Sequence, residues 1–186
     1  MKMHLSAMVF VTVLASALPS RALLAQGKFG TSTGNTKFSS VTPLENVNAE
    51  NKKSQVIFNT ANNEIAIRMN MREFVFPNKL MQEHFNENYI ESEKYPTATF
   101  SGKVDNAPDY TKDGQYDVSA TGKFTVHGVT KERTIKGRMK IESGKITISS
   151  DFEVPLTEHN IEVPQVVFVK IAQVISVKAQ YVLTAK

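Results

Sequence analysis

The chain has 186 residues, which is enough for one domain with a substantial core. It contains no cysteine, so disulfides and a lipid anchor attached to cysteine are excluded. The formal net charge is +4 and the charged residues are interspersed, a pattern too weak to indicate nucleic-acid binding.

The N-terminus has the three-part pattern of a secretory signal peptide. Lys2 precedes an uncharged run at 5–18, and the small residues around Arg21 and at Ala25 offer two cleavage points. The run is short for a membrane-spanning helix, so we expect no integral membrane anchor. We predict a signal peptide at 1–25 and one mature domain at 26–186, located in a bacterial periplasm or secreted.

The first third of the mature chain predicts strands. Two weak strands at 28–33 and 36–41 flank Gly34-Asn35, which is typical of a turn. Residues 43–53 are polar, and either a loop or a poorly patterned strand fits them. A hairpin follows, with arms at 54–60 and 64–72 and Asn62-Asn63 at its turn.

A short helical insertion interrupts this β pattern at about 78–93. Asn78 is a good N-cap, and Met81, Phe85 and Tyr89 recur every four residues on one helical face. Pro96 disfavours helix in the residue before it, so the helical pattern ends there. An insertion of this kind is suited to cover whatever the strands enclose.

The remaining chain alternates between apolar and polar residues, which is typical of strands with one buried face. Gly128 indicates a bulge or kink, Ser143-Gly144 a two-residue hairpin turn, and the run at 166–169 is apolar. The predicted strands are 98–104, 116–127, 134–142, 145–152 and 173–183.

About eight one-sided strands with hairpin connections predict an all-β antiparallel barrel or sandwich. An eight-stranded barrel has an interior that side chains fill or that holds one small ligand. Small inward residues would leave room inside or let the strands bend; they are Ala98, Gly102, Ala120, Gly122, Gly137 and Ala179.

Three motifs in order resemble the YceI-like family. They are His84-Phe85 followed by ENYIESEKYPTATFSGKV (87–104), GKFTVHGVTK (122–131), and FEVPL (152–156). The resemblance covers essentially the mature chain. It implies a lipocalin-like, extended eight-stranded antiparallel barrel that holds a polyisoprenoid or a similar long-chain lipid in its lumen.

On this resemblance the expected partner is a long-chain amphiphilic small molecule, and a homodimer is an option. No cofactor is expected apart from a bound isoprenoid or quinone-like lipid. Inward-facing candidates for the ligand wall, for which ordinary core is the alternative role, are Phe58, Met69, Met71, Phe74, Phe85, Phe100, Phe124, Val126, Ile135, Met139, Ile148 and Phe152. Polar candidates at the barrel end are His84, Tyr95 and His127.

We expect neither a metal site nor an enzyme. His84, His127 and His159 lack close ligand spacing, and no nucleophile motif is present. The favoured function is a lipid-binding protein that sequesters or carries its ligand. The alternatives are a structural envelope module whose barrel is filled by side chains and, weakest, an enzyme acting on a small lipid.

Overall fold

The structure, a computed structural model, describes residues 27–164 and 171–186. The predicted signal peptide at 1–25 and the apolar run at 166–169 lie outside the described residues. No helix in the described part of the chain is long and apolar enough to cross a membrane.

Eight antiparallel strands close into a barrel in which each strand pairs with the next and the last pairs with the first. This confirms the predicted fold class. The strands are β1 (Lys28–Val41), β2 (Asn46–Asn59), β3 (Glu64–Asn70), β4 (Thr97–Val104), β5 (Gly114–Val126), β6 (Val129–Glu142), β7 (Lys145–Pro155) and β8 (Val174–Ala185).

The predicted turn at Gly34-Asn35 is wrong, because β1 runs through it. The pairing of β1 with β2 shifts register on both sides of Gly34. A Cβ at Gly34 would lie 2.6 Å from the Tyr181 ring and 2.9 Å from the Ser54 carbonyl oxygen. Glycine therefore lets the bulky Tyr181 side chain approach β1 closely at a strand irregularity. A Gly-Asn pair is also typical of a turn, so the local sequence does not distinguish the two structures. The polar stretch after residue 43 mostly becomes strand β2.

Gly128 marks a hairpin turn and not the predicted bulge or kink. His127 and Gly128 have φ values of +50° and +74°, and Val126 pairs directly with Val129. Positive φ at both central residues is typical of a type I′ turn, which joins twisted strands closely. The predicted Ser143-Gly144 turn has the same form and is found where expected.

The helical insertion is shorter than predicted. Asn78 caps helix α1 (Lys79–His84), accepting hydrogen bonds from the backbone N–H groups of Leu80 and Met81. A π-helical turn (Phe85–Tyr89) continues it. Glu91, at φ +47°, ends the helix before Pro96 is reached. Two 3₁₀ turns, Met71–Glu73 and Leu156–His159, complete the described elements.

The two ends of the barrel differ in what covers them. The β1–β2 connection, the insertion and the segment after β7 lie at one end, which we call the mouth end. The opposite, closed end is filled by fully buried side chains that include Phe29, Phe58, Met139, Ile146 and Leu183. Packing at the closed end leaves the mouth half of the barrel as the place for a cavity.

Candidate functional site

A cavity of about 420 Å³ occupies the mouth half of the barrel. Its walls come from seven of the strands and from the insertion, and they are predominantly apolar. Ligand cavities for small molecules fall in the range of roughly 300–1,000 Å³ and are mostly apolar. The barrel therefore contains room for a small apolar ligand.

Four phenylalanines form a cluster where the insertion meets the cavity. The Phe85 ring centroid lies 5.4 Å from that of Phe38, 6.0 Å from that of Phe74 and 5.0 Å from that of Phe76. All four line the cavity. The Phe38 and Phe85 rings are stacked and the other two contacts are tilted or edge-on, and such aromatic contacts add to the stabilisation from burial. They attach the insertion to β1 and to the segment after β3.

The cavity reaches the surface beside α1. Asn78, Leu80 and His84 are exposed and also line the cavity, with Glu45 of the β1–β2 connection as a further polar lining residue. Among the described residues that line the cavity, none is a lysine or an arginine. Partial burial raises the pKa of Tyr89, another lining residue, because the phenolate form is disfavoured away from water. An uncharged ligand fits these walls better than an anion.

Eight of the fifteen predicted site residues line this cavity. Seven of them are apolar and one is polar. They are Met69, Met71, Phe74, Phe85, Phe124, Val126, Phe152 and His84.

The other seven lie elsewhere. Phe100, Ile135, Met139 and Ile148 line a separate cavity of about 50 Å³, whose walls come from β4, β5, β6 and β7. Phe58 packs against Tyr110, with ring centroids 5.7 Å apart. Tyr95 and His127 contact each other outside the lining of both cavities, at 4.5 Å between ring centroids. The role of all fifteen residues in ligand binding stays a prediction.

His127 joins the two segments that cover the mouth end. Its Nε2 lies 2.9 Å from the Glu91 carboxylate, and its Nδ1 lies 3.1 Å from the His159 backbone carbonyl oxygen. Both partners accept hydrogen bonds, so the ring satisfies both when each nitrogen carries a hydrogen. His127 thereby ties the end of the insertion to the 3₁₀ turn after β7.

The sequence prediction did not include several lining residues. Phe38 and Ala98 were recognisable as inward-facing apolar residues, and Ile175 and Val177 belong to a strand that was predicted. Thr36 and Tyr181 are different, because a hydroxyl on an inward strand position gives no sequence signal for a site. Their side chains meet across 145 residues of sequence, with 2.9 Å between the oxygens.

The small inward residues have several roles. Ala98 lines the main cavity, whereas Ala120 and Gly137 line the small one. Gly102 and Gly122 pair across β4 and β5, and a Cβ on Gly122 would overlap the Gly102 Cα and the Ser101 carbonyl. That pair therefore allows close approach of two strands and leaves no room for a ligand.

Potential metal ligands are dispersed. Nowhere in residues 27–164 and 171–186 do three or more His, Asp or Glu side chains come together so that they could hold a metal ion. Met69 and Met71, on adjacent inward positions, are both buried in the cavity wall.

Sequence comparison decides the family. The profile of the YceI-like domain matches residues 20–183. The chain belongs to the YceI-like family. This confirms the resemblance seen in the three motifs. A search of curated protein sequences gave no significant match.

Solved structures of YceI-like and related proteins have the same fold. A domain from Saccharophagus degradans, described as polyisoprenoid binding and implicated in plant cell wall breakdown, superposes with a TM-score of 0.70 at 13% identity. That match covers 87% of this chain and 99% of the other. BcnA of Burkholderia cenocepacia gives a TM-score of 0.68 at 17% identity over 82% and 96% of the two chains. The YCEI protein of Campylobacter jejuni gives 0.57 at 13% identity over 100% and 99%.

Proposed function

We propose that this protein binds a polyisoprenoid, a quinone-like lipid or a similar long-chain lipid in the barrel cavity and sequesters or carries it. The observation that carries the proposal is the apolar cavity of about 420 Å³ at the mouth end. The polyisoprenoid-binding description of the S. degradans relative supports the ligand class.

The energetics of apolar burial are sufficient for such a role. Each buried methylene contributes about 0.8 kcal/mol, so ten contribute roughly 8 kcal/mol before the cost of lost motion on binding. A cavity lined by Phe, Met and Ile side chains can therefore hold a prenyl chain by burial alone. The proposal includes no catalytic step.

The cavity counts against the rival function as a structural module. That function requires a barrel interior filled by side chains, as at the closed end around Phe58 and Met139. The mouth half has the cavity instead, and it opens beside the exposed residues Leu80 and His84.

The test is native mass spectrometry with lipid extraction on protein purified from its own host. We expect one bound species of defined mass that survives mild activation. A clean apo mass together with no uptake of offered prenyl lipids would contradict the proposal. The same spectrum measures the mass of the native assembly and so tests the option of a homodimer.

A matched pair of variants locates the ligand. Ala98 is buried on β4 and lines the cavity, so Ala98→Phe places a ring in the ligand's space and should lower lipid occupancy about tenfold. Ala66 on β3 is exposed, and Ala66→Phe adds the same ring to the outer surface without loss of binding. Equal occupancy in the two variants would place the ligand outside this cavity.

We also propose that the protein acts in the periplasm or after secretion. The support is the signal-peptide pattern of residues 1–25. Cell fractionation and the intact mass of the exported protein test this. A chain that retains residues 1–25 and stays in the cytoplasm would overturn it.

A further inference from the structure

A cluster of three hydroxyl groups lies at the deepest part of the cavity, between β1, β2 and β8. The Thr36 Oγ1 is 2.9 Å from the Ser54 Oγ and 2.9 Å from the Tyr181 phenolic oxygen. Thr36 and Tyr181 line the cavity. The three side chains are between 0% and 4% exposed, so bulk water does not solvate them.

Counting hydrogens shows that this cluster is incomplete by one acceptor. Three hydroxyl groups have three O–H hydrogens, but only two hydrogen bonds join them. Whichever way the two bonds point, one O–H has no acceptor among the described residues. A buried donor without a partner is costly, which favours a ligand that supplies the missing acceptor.

Local geometry holds the cluster in place. Gly34 has no side chain where a Cβ would lie 2.6 Å from the Tyr181 ring, so the ring packs directly on the β1 backbone. This packing directs the phenol toward Thr36. The register shift at Gly34 thus positions a polar group at the inner end of an apolar cavity.

The charges around the cavity define which ligand group fits this cluster. Burial raises the pKa of Tyr181, so its phenol remains a neutral donor. The described lining has no lysine or arginine to balance an anion, and Glu45 lies among the lining residues. A phosphate would therefore enter without a counter-ion and at a high desolvation cost.

We propose that the hydroxyls of Thr36 and Tyr181, which line the cavity, bind an uncharged oxygen of the lipid, a carbonyl or a hydroxyl, while Ser54 stays hydrogen-bonded to Thr36. The ligand then lies with its oxygen at the inner end of the cavity and its hydrocarbon chain extending toward the mouth. This inference rests on the proposed function and specifies the ligand class and its orientation.

The test compares four C20 probes on the delipidated full-length mature protein. The probes are geranylgeraniol, the corresponding prenyl ketone, geranylgeranyl phosphate and a C20 isoprenoid hydrocarbon without oxygen. We expect the alcohol and the ketone to bind roughly fivefold more tightly than the hydrocarbon, the value of about one hydrogen bond. The phosphate should bind more weakly than the alcohol.

Variants then assign this preference to the cluster. The double variant Thr36→Val, Tyr181→Phe removes both hydroxyls that line the cavity with little change in volume. We expect the alcohol and the hydrocarbon to bind it equally, with hydrocarbon affinity near that of wild type. If the double variant does not fold, the single variant Tyr181→Phe, a milder change, is measured instead. It should reduce the preference for the alcohol over the hydrocarbon.

The control is Tyr110→Phe, which removes a buried phenolic hydroxyl at the closed end, where it donates to Asn63 at 2.8 Å. This control should keep the full preference for oxygen. Equal binding of alcohol and hydrocarbon to wild type, or a preference that survives in the double variant, would overturn the inference and leave the proposed function intact. Failure of all four probes with wild type would overturn both.

Discussion

At the scale of single residues, His159 has an imidazole ring that is buried away from water and only partly hydrogen-bonded. Its side chain is fully buried, its Nδ1 lies 3.1 Å from the Val129 carbonyl oxygen, and its Nε2 has no partner among the described residues. Burial lowers the pKa of His159, and the nearby Arg133 adds to this effect. The folded protein therefore holds this ring in its neutral form.

This environment predicts a loss of stability in mild acid. The unfolded chain takes up a proton near the ordinary pKa of 6.5, whereas the folded protein resists it until a lower pH. The stability of the fold that depends on a neutral His159 is fully present above pH 6.5. It is lost as the pH falls from 6.5 toward the lowered pKa of the folded state. We expect the free energy of unfolding of wild type to decline more steeply than that of His159→Gln between pH 6.5 and 5.

Urea unfolding at a series of pH values measures this difference. Above pH 7 the two proteins should run parallel, because the ring of His159 is neutral in both states there. Identical slopes below pH 6.5 would show that His159 is not the residue responsible.

At the scale of elements, His127 connects the end of the insertion with the 3₁₀ turn after β7, two segments that are far apart in the chain. We expect His127→Ala to free Glu91 and the carbonyl of His159, because both lose their contact with the imidazole ring. The loss of stability should be about 1 kcal/mol, since Glu91 is partly exposed to solvent. Hydrogen exchange should become faster at Ile90 and Tyr95, whose N–H groups bond within the insertion.

Thr125→Val is the matched control for this prediction. It removes an exposed hydrogen bond to Thr130 in the same β5–β6 hairpin and does not touch the insertion. Unchanged exchange at Ile90 in the His127 variant would mean that the insertion is held by its aromatic contacts alone.

The Gly102–Gly122 pair predicts that the β4–β5 contact tolerates no side chain. Gly122→Ala introduces a methyl group that overlaps backbone atoms of β4, which cannot move aside as a side chain can. We expect a loss of about 1–3 kcal/mol, typical of overpacking. Gly144→Ala, at φ +78° with nothing within 4 Å, should lose only the roughly 1–2 kcal/mol of left-handed backbone strain.

Urea unfolding measures the loss of stability in both glycine variants, and the location of the spectral changes distinguishes the two effects. Gly122→Ala should also perturb the β4–β5 amide signals in an NMR spectrum, whereas Gly144→Ala should affect only the β6–β7 turn. A Gly122→Ala protein with wild-type stability and spectrum would contradict the overlap.

Elements also show what the sequence could predict. Alternation along β3 to β8 indicated which residues face inward, and the Asn78 cap indicated the start of the insertion, whereas β1 and the first half of β2 have no clear alternation. Alternation does not indicate how far along the barrel axis an inward residue lies. Phe58 and Phe124 therefore look alike in sequence, although Phe58 fills the closed end and Phe124 lines the cavity. The contact between Gly34 and Tyr181 depends on β1 meeting β8, which local sequence does not encode.

At the scale of the whole molecule, the barrel separates stability from binding along its axis. The closed end is densely packed around Phe58, whereas the mouth end combines the cavity with the insertion. A ligand bound at the mouth end stabilises the folded state by mass action, by about 2.7 kcal/mol at a ligand concentration 100 times its dissociation constant. Changes at the two ends should therefore have different consequences.

We expect Phe58→Ala to lower the free energy of unfolding by about 3–5 kcal/mol while the extra stability conferred by bound lipid remains. Phe85→Ala, in a partly exposed position that lines the cavity, should lower intrinsic stability less and reduce the lipid-induced gain. Urea unfolding with and without saturating geranylgeraniol measures both quantities for each variant. If Phe58→Ala abolished the lipid-induced gain, or Phe85→Ala preserved it fully, the two ends would be coupled and the division between core and binding cavity would be wrong.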